Sequence, residues 1–125
     1  MSITLPRILQ RDAFERFTLG LPGATLTHQW HDNSVAKLGG KIFALLDGGQ
    51  GDDAGEIWLK VSDLAFEMMT ELPGIRPAPY FARAKWVAIS AASPLSEAEL
   101  QAYLREAHRL VAARLTRKLR AELGL

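Results

Sequence analysis

Residues 35–46 read VAKLGGKIFALL, two apolar runs separated by Gly39-Gly40. A Gly-Gly pair readily adopts the positive φ angles of a two-residue hairpin turn, so we expect two antiparallel strands here. With such a turn, Lys37 lies opposite Ile42 on the neighbouring strand. Because neighbouring residues of a strand alternate between its faces, Lys37 and Lys41 are predicted on opposite faces of the hairpin.

Alternating patterns predict further strands on both sides of this hairpin. Apolar and polar residues alternate over 24–30 and again over 56–61, and a polar loop at 47–55 precedes the second of these segments. Residues 86–91 are typical of one more strand, and the two prolines within 75–79 require extended backbone there. We therefore predict an antiparallel sheet of about five strands.

Two helices are predicted before the last strand. Ala13, Phe14 and Phe17 have helical spacing within residues 11–20, and Asp12 with Glu15 fits the pattern of a capping box. Either residue of the pair Ser62-Asp63 is expected to cap a short second helix.

A long final helix is indicated by a second capping box, formed by Ser96 and Glu99. Its apolar stripe continues to Leu115, and residues 116–125 are expected to form a fraying or separately packed tail. The predicted order is therefore α-β-β-β-β-α-β-α. This order is typical of an α+β fold in which N- and C-terminal helices cover one face of an antiparallel sheet.

The composition indicates one small domain over residues 1–125. The chain has 125 residues, 48% of them hydrophobic, no cysteine and a net charge of +1. The absence of cysteine excludes a disulfide scaffold, a thiolate metal site and a cysteine nucleophile. No apolar run approaches the ~18 residues of a membrane span, and the first residues do not resemble a signal peptide. We expect a cytoplasmic monomer with no membrane association.

Charge is unevenly distributed along the chain. Residues 18–63 are net acidic, whereas residues 1–17 and 96–125 are net basic. The basic C-terminal end either solubilises the end of a helix and complements its dipole, or faces a ligand.

The sequence contains no convincing catalytic or metal-binding motif. Gly40-Lys41 lacks the neighbouring residues of a phosphate loop. His28 and His31 are expected on opposite faces of a strand, so they do not form a metal site together with Asp32. His108 is expected to be a hydrogen-bonded packing residue. We therefore expect no catalytic residue, no metal and no cofactor.

The three tryptophans each have two possible roles: their rings could stack on a ligand, or they could be buried in the core. On alternating strands, burial is the more common role, and we expect it for Trp30 and Trp86. Trp58 shares a face with Glu56 and Lys60, so it is expected to be partly exposed.

The order and spacing of several short motifs extend over nearly the whole chain. These motifs are LPG at 21–23, GKIFALL at 40–46, LK at 59–60, PAPY at 77–80, KWV at 85–87 and AHRLV at 107–111. Together they resemble the MmcQ/YjbR family, although Thr116 stands where proline is common in that family. The resemblance implies a CyaY-like α+β fold, a double-wing arrangement and a DNA-binding role inferred from that fold.

Two other functions compete with DNA binding. Frataxin-like relatives of the fold suggest iron binding on an acidic first helix, but that helix offers only Asp12 and Glu15 beside two arginines. The stronger alternative is a protein- or small-ligand-binding module that uses the sheet face near Trp58 and Tyr80.

The favoured hypothesis is a small non-enzymatic protein that binds double-stranded DNA with little sequence specificity. Lysines and arginines on hairpins would contact phosphates while the turns serve as wings against the duplex. The candidate residues are Lys37, Lys41, Lys60, Arg76, Arg83, Lys85, Arg117 and Lys118, with Arg120 as a supplement.

Overall fold

The apolar runs and turn residues of the sequence form ten helices and strands in a computed structural model, which describes residues 5–125. The helices are α1 (Arg11–Leu19), α2 (Asp63–Met69), α3 (Glu97–Ala112) and α4 (Arg117–Glu122). The strands are β1 (Ala24–Gln29), β2 (Asn33–Leu38), β3 (Lys41–Asp47), β4 (Glu56–Lys60), β5 (Ile75–Pro77) and β6 (Trp86–Ile89). Short 3-10 turns occupy Arg7–Leu9 and Ala82–Ala84.

One antiparallel sheet contains all six strands in the order β1-β2-β3-β4-β6-β5. The predicted α+β class and element order are confirmed, and the sixth strand is the short proline-containing β5. This strand lies at the edge of the sheet, where Pro77 needs no N–H for a further neighbour. No helix within residues 5–125 has the length and apolarity needed to cross a membrane.

The central hairpin has the predicted register at its turn. Lys37 pairs with Ile42, so Lys37 and Lys41 do lie on opposite faces. Beyond this pair the register shifts by one residue at a β-bulge, which the sequence pattern did not indicate. The bulge brings Phe43 and Ala44, although adjacent, into the same core.

The helices cover one face of the sheet and enclose the main hydrophobic core. Its buried members include Phe14, Leu38, Phe43, Leu46, Ile57, Leu59, Ile89, Leu100 and Leu104. His108 is also buried here, with Nε2 at 2.7 Å from the carbonyl oxygen of Pro22 and its ring edge-on to Phe43. The prediction of a hydrogen-bonded packing histidine is confirmed.

Two predicted helix caps are confirmed, and one is wrong. Ser96 and Glu99 form the capping box of α3, and Ser62 accepts a hydrogen bond from Ala65 N at the start of α2. Helix α1, in contrast, begins after Gln10, which makes no side-chain cap. Glu15 is not available for a capping box because its carboxylate bonds to the sheet.

The Glu15 carboxylate joins α1 to the first two strands. Its Oε2 accepts a hydrogen bond from Ser34 Oγ at 2.6 Å and lies 2.7 Å from His28 Nε2. Burial alone raises the pKa of Glu15, but the hydrogen bonds from Ser34 and His28, with the charges of His28 and Arg11, lower it below its usual 4.5. The ionised carboxylate therefore stabilises the fold.

Glu15→Gln is expected to lower the free energy of unfolding by about 1–3 kcal/mol near neutral pH, because the charge-assisted bonds are lost. A lowered pKa means that this stabilisation is present above pH 4.5 and is lost as the pH falls through the folded-state value. Urea unfolding at several pH values should therefore show wild type and variant converging in acid. Asp12→Asn, on the exposed side of the same helix, is the control; equal losses in both variants would contradict the role of Glu15.

The C-terminal segment is a separately packed helix. Thr116 caps α4 by accepting a hydrogen bond from Leu119 N at 3.1 Å. Leu119 and Leu123 pack against the main core, and side chains of Leu115 and Leu119 lie close to Gly39 in the central turn. Of the two expectations for this tail, separate packing is the one confirmed.

Candidate functional site

The sheet face opposite the helices carries a second, smaller apolar cluster. It consists of Ala78, Trp86 and Ala88, with Ile42, Trp58 and Phe81 packed against them. The strand register also places Leu45 beside Trp58 on this face. No helix among the described residues packs on this cluster, and we call this side the open face.

Basic residues from several segments gather at one end of the sheet. Lys37 and Lys41 flank the central turn, and Lys60 is the last residue of the neighbouring β4. The turn glycine Gly39 is adjacent to Leu115, so the end of α3 and the start of α4 lie at the same place. We define the basic end as Lys37, Lys41, Lys60, Arg83, Lys85, Arg114, Arg117 and Lys118.

Seven of the eight sequence-predicted residues therefore lie around one end of the sheet, but not on one face. Arg114 also lies at this end, although the sequence did not predict it; the signal for it is a charged residue at the point where the apolar stripe of α3 ends. Arg76 is the exception. Its guanidinium lies 2.7 Å from Glu56 Oε1, at the opposite end of β4 from Lys60.

Two lysines of the basic end also make intramolecular contacts. Lys60 Nζ donates to the carbonyl oxygen of Ala84 at 2.6 Å, and Lys85 Nζ lies 4.9 Å from the centroid of the Phe66 ring. Burial lowers the pKa of Lys60, as does the positive charge of Arg114, while Asp63 opposes the shift. Burial and a neighbouring positive charge therefore both disfavour the protonated form of Lys60.

The other end of the sheet is acidic. It contains the turn between β1 and β2 and the loop between β3 and β4, which carry Asp32, Asp47, Asp52 and Asp53. At the basic end, two connections between adjacent antiparallel strands carry basic residues: the central turn is flanked by Lys37 and Lys41, and the β5–β6 connection contains Arg83 and Lys85. Two basic hairpins therefore lie at the basic end of the sheet.

A groove of about 440 Å³ lies on the open face near the acidic end. Its lining consists of Trp30, His31, Asn33, Leu45, Asp47, Trp58, Tyr80 and Phe81. We call it the aromatic groove. Trp58 is half-buried and Trp86 is buried, as predicted. Trp30 is not buried: 52% of it is exposed, because β1 ends at Gln29 and the chain turns away from the sheet.

The rim of the aromatic groove has an unusual backbone conformation. Trp30, His31 and Asp32 have φ angles of 52°, 68° and 65°, and Tyr80 has a φ of 66°. Such left-handed conformations cost non-glycine residues about 1–2 kcal/mol each. Tyr80 is 99% exposed, so burial within the chain does not offset its strain. Strained conformations of this kind are held by the surrounding structure and are concentrated at functional sites.

Hydrogen bonds organise the floor of the aromatic groove. Asn33 Nδ2 donates to Asp47 Oδ1 at 2.9 Å, and Asn33 Oδ1 accepts from Gly48 N at 3.0 Å. Trp58 Nε1 donates to Glu56 Oε1 at 2.8 Å, and the Trp58 ring packs edge-on against Phe81. The floor is therefore held in place before any ligand arrives.

His28 and His31 lie on opposite sides of the sheet. His28 bonds to Glu15 on the helix side, whereas His31 lines the aromatic groove. Within residues 5–125, no group of three or more histidine and carboxylate side chains is positioned to hold a metal ion.

Sequence patterns pointed to Trp58 and Tyr80 but not to the groove as a whole. Its walls come from four separate segments, and strand pairing brings them together. The one local signal was the polar break after Trp30, where strand alternation stops.

The fold and its two surfaces define a small α+β domain with one sheet face left open by its helices. The chain belongs to the YjbR family, since the sequence model of that family matches residues 19–110. This agrees with the resemblance seen in its short motifs.

Two solved structures share the fold. A Deinococcus radiodurans protein with a DUF419 domain is 23% identical, with a TM-score of 0.80 over 98% of this chain and 93% of its own. A Pseudomonas syringae protein is 24% identical, with a TM-score of 0.65 over 81% of this chain and 97% of its own. No curated protein matches the chain.

Proposed function

We propose that this protein binds double-stranded DNA through its basic end and catalyses no reaction. The observation that carries the proposal is the separation of charge along the sheet. Lysines and arginines from the central hairpin, β4, the turn before β6 and the C-terminal helices surround one end, while carboxylates occupy the other. Phosphates would be attracted to the first end and repelled from the second.

The contacts available at the basic end favour binding to the DNA backbone. Lys41, Arg117 and Lys118 are exposed and lie on a hairpin turn and a helix start, so their side chains can reach phosphates. Contacts to phosphates position a protein on the duplex without reading its sequence, so we expect little sequence specificity.

The predicted interaction depends strongly on salt. A narrow end of a small sheet reaches few phosphates, and about four neutralised phosphates give a slope of about −3.6 in log affinity against log salt. Binding would therefore be weak at physiological salt and clear at low salt.

Lys41→Glu/Lys118→Glu is expected to weaken duplex binding at least tenfold at ~0.05 M salt and to reduce the salt slope by about two. Fluorescence anisotropy with a labelled duplex across a salt series measures both quantities. The matched control is Arg7→Glu/Arg16→Glu, which changes the net charge equally at exposed positions outside the basic end. Arg76→Gln is a second control, because its guanidinium is paired with Glu56.

Two results would contradict this function. The first is an absence of saturable binding by the unaltered protein even at low salt. The second is an equal loss of affinity in Lys41→Glu/Lys118→Glu and Arg7→Glu/Arg16→Glu, because attraction would then depend on net charge alone.

A further inference from the structure

The aromatic groove has the size and form of a small-molecule site. Its volume of about 440 Å³ falls within the range of about 300–1,000 Å³ found for ligand pockets. It is concave, and its floor is fixed by internal hydrogen bonds. These features favour a compact ligand over a flat macromolecular surface.

The charge of the groove favours a cation. Asp47 is the one carboxylate of the lining, and the lining includes no lysine or arginine. Of the three carboxylates around the groove, Glu56 is paired with Arg76 and Asp32 with Arg11. Among residues 5–125, no basic group lies within ion-pair distance of Asp47. The same negative end of the molecule disfavours a nucleic acid here.

The hydrogen-bonding groups on the floor are already engaged. Asn33 uses its Nδ2 on Asp47 and its Oδ1 on Gly48, and the Trp58 N–H is directed to Glu56. One oxygen of Asp47 is itself occupied by Asn33. Apart from the second Asp47 oxygen, the His31 ring and the Tyr80 hydroxyl at the rim, the groove offers aromatic surface rather than acceptors for a ligand rich in N–H donors.

We propose that the aromatic groove binds a small quaternary-ammonium compound. A quaternary ammonium has a positive charge and no N–H, and aromatic rings attract such cations within about 6 Å of their centroids. Exposed Trp30 and Tyr80 supply rings at the rim, and Trp58 supplies one at the floor. Asp47 supplies the opposite charge. The strained conformation of Trp30 and Tyr80 then serves to present their rings to the ligand.

The first experiment compares choline with dimethylbutanol, its neutral carbon isostere. Calorimetric titration and intrinsic tryptophan fluorescence follow binding to the full-length protein. We expect saturable choline binding in the millimolar range or tighter, with dimethylbutanol at least about tenfold weaker because it lacks the charge. Equal binding of the two would overturn the proposal in favour of a purely apolar pocket, and no saturable choline binding would overturn it outright.

Two variants test the location of the site. Asp47→Asn keeps the side-chain shape and removes the charge, and Tyr80→Asn removes a ring at a position where asparagine tolerates positive φ. Each is expected to weaken choline binding by about 3- to 30-fold, the range that cation–π contacts span from exposed to desolvated sites. Their controls are Asp53→Asn and Leu64→Asn, which make similar changes at exposed positions outside the lining.

The variants also separate this proposal from DNA binding. Lys41→Glu/Lys118→Glu should bind choline as the unaltered protein does, because neither residue lines the groove. If Asp47→Asn or Tyr80→Asn binds choline no more weakly than its control, the cation site lies elsewhere and the proposal is wrong. Should either variant unfold in circular dichroism, the comparison of choline with dimethylbutanol on the unaltered protein still decides.

Discussion

Gly74→Ala is expected to prevent stable folding. Gly74 has a φ of +76°, and a Cβ at this position would lie 2.3 Å from Ser93 N and 2.5 Å from Ala92 C. Both atoms belong to the backbone, so no side-chain rotation relieves the overlap. The carbonyl oxygen of Gly74 also accepts hydrogen bonds from Ser90 N and Ser90 Oγ, at 2.9 and 3.0 Å. The two segments are therefore held together where the clash would occur.

The size of this effect follows from the small stability of a domain. Native domains are stable by only about 5–15 kcal/mol, and separating these segments would remove the turn before β5 from the edge of the sheet. Circular dichroism and urea unfolding measure the loss.

Gly40→Ala is the control for Gly74→Ala, because it places alanine at a positive φ without any steric overlap. Gly40 has a φ of +81°, but a Cβ there meets nothing within 4 Å. The free energy of unfolding of this control should fall by only about 1 kcal/mol, the cost of an alanine in the left-handed conformation. If Gly74→Ala is destabilised no more than Gly40→Ala, the close approach to Ser93 is not what requires glycine.

Phe43→Ala is expected to lower the free energy of unfolding by about 3–5 kcal/mol, the usual range for removing a large buried ring. Phe43 is fully buried on a central strand, beside the β-bulge, and its ring is 5.5 Å from that of His108. The cavity would open where α3 packs on the sheet. The loss would leave the edge of the His108 ring without its aromatic partner.

Urea unfolding of Phe43→Ala, Phe43→Leu and Phe66→Ala gives the comparison. Phe43→Leu keeps most of the side-chain volume, so its free energy of unfolding should fall clearly less than that of Phe43→Ala. Phe66 lies on α2 and is only half-buried, so its removal should also cost less. An equal loss at Phe43 and Phe66 would contradict the central place of Phe43 in the core.

Local patterns were sufficient for most of the fold. The Gly39-Gly40 pair predicted the hairpin and the pairing of Lys37 with Ile42, and Ser96 with Glu99 predicted the start of α3. These features succeed because turn geometry and helix capping depend on residues within a few positions of one another.

Errors arose where distant contacts changed a local preference. Glu15 has capping-box spacing with Asp12, but hydrogen bonds to Ser34 and His28 hold its carboxylate on the sheet. Trp30 continues an alternating pattern, yet the strand ends one residue earlier and the ring is exposed. The partners of Glu15 are remote in sequence, so no local pattern contains them, whereas the exposure of Trp30 follows from the strand end that the polar break after it marks.

The sequence by itself determined the family, the order of the elements and the placement of Lys37 and Lys41 on opposite faces, because side-chain alternation along a strand is a local property. Only the tertiary structure decided which strand ends and loops meet. Pairing β4 with β6 placed Lys60 beside the turn before β6, and packing of α4 near Gly39 brought Arg117 to the same end. The aromatic groove likewise joins Trp30 to Tyr80 across fifty residues. Such neighbours are set by the burial of the whole core, which no single segment encodes.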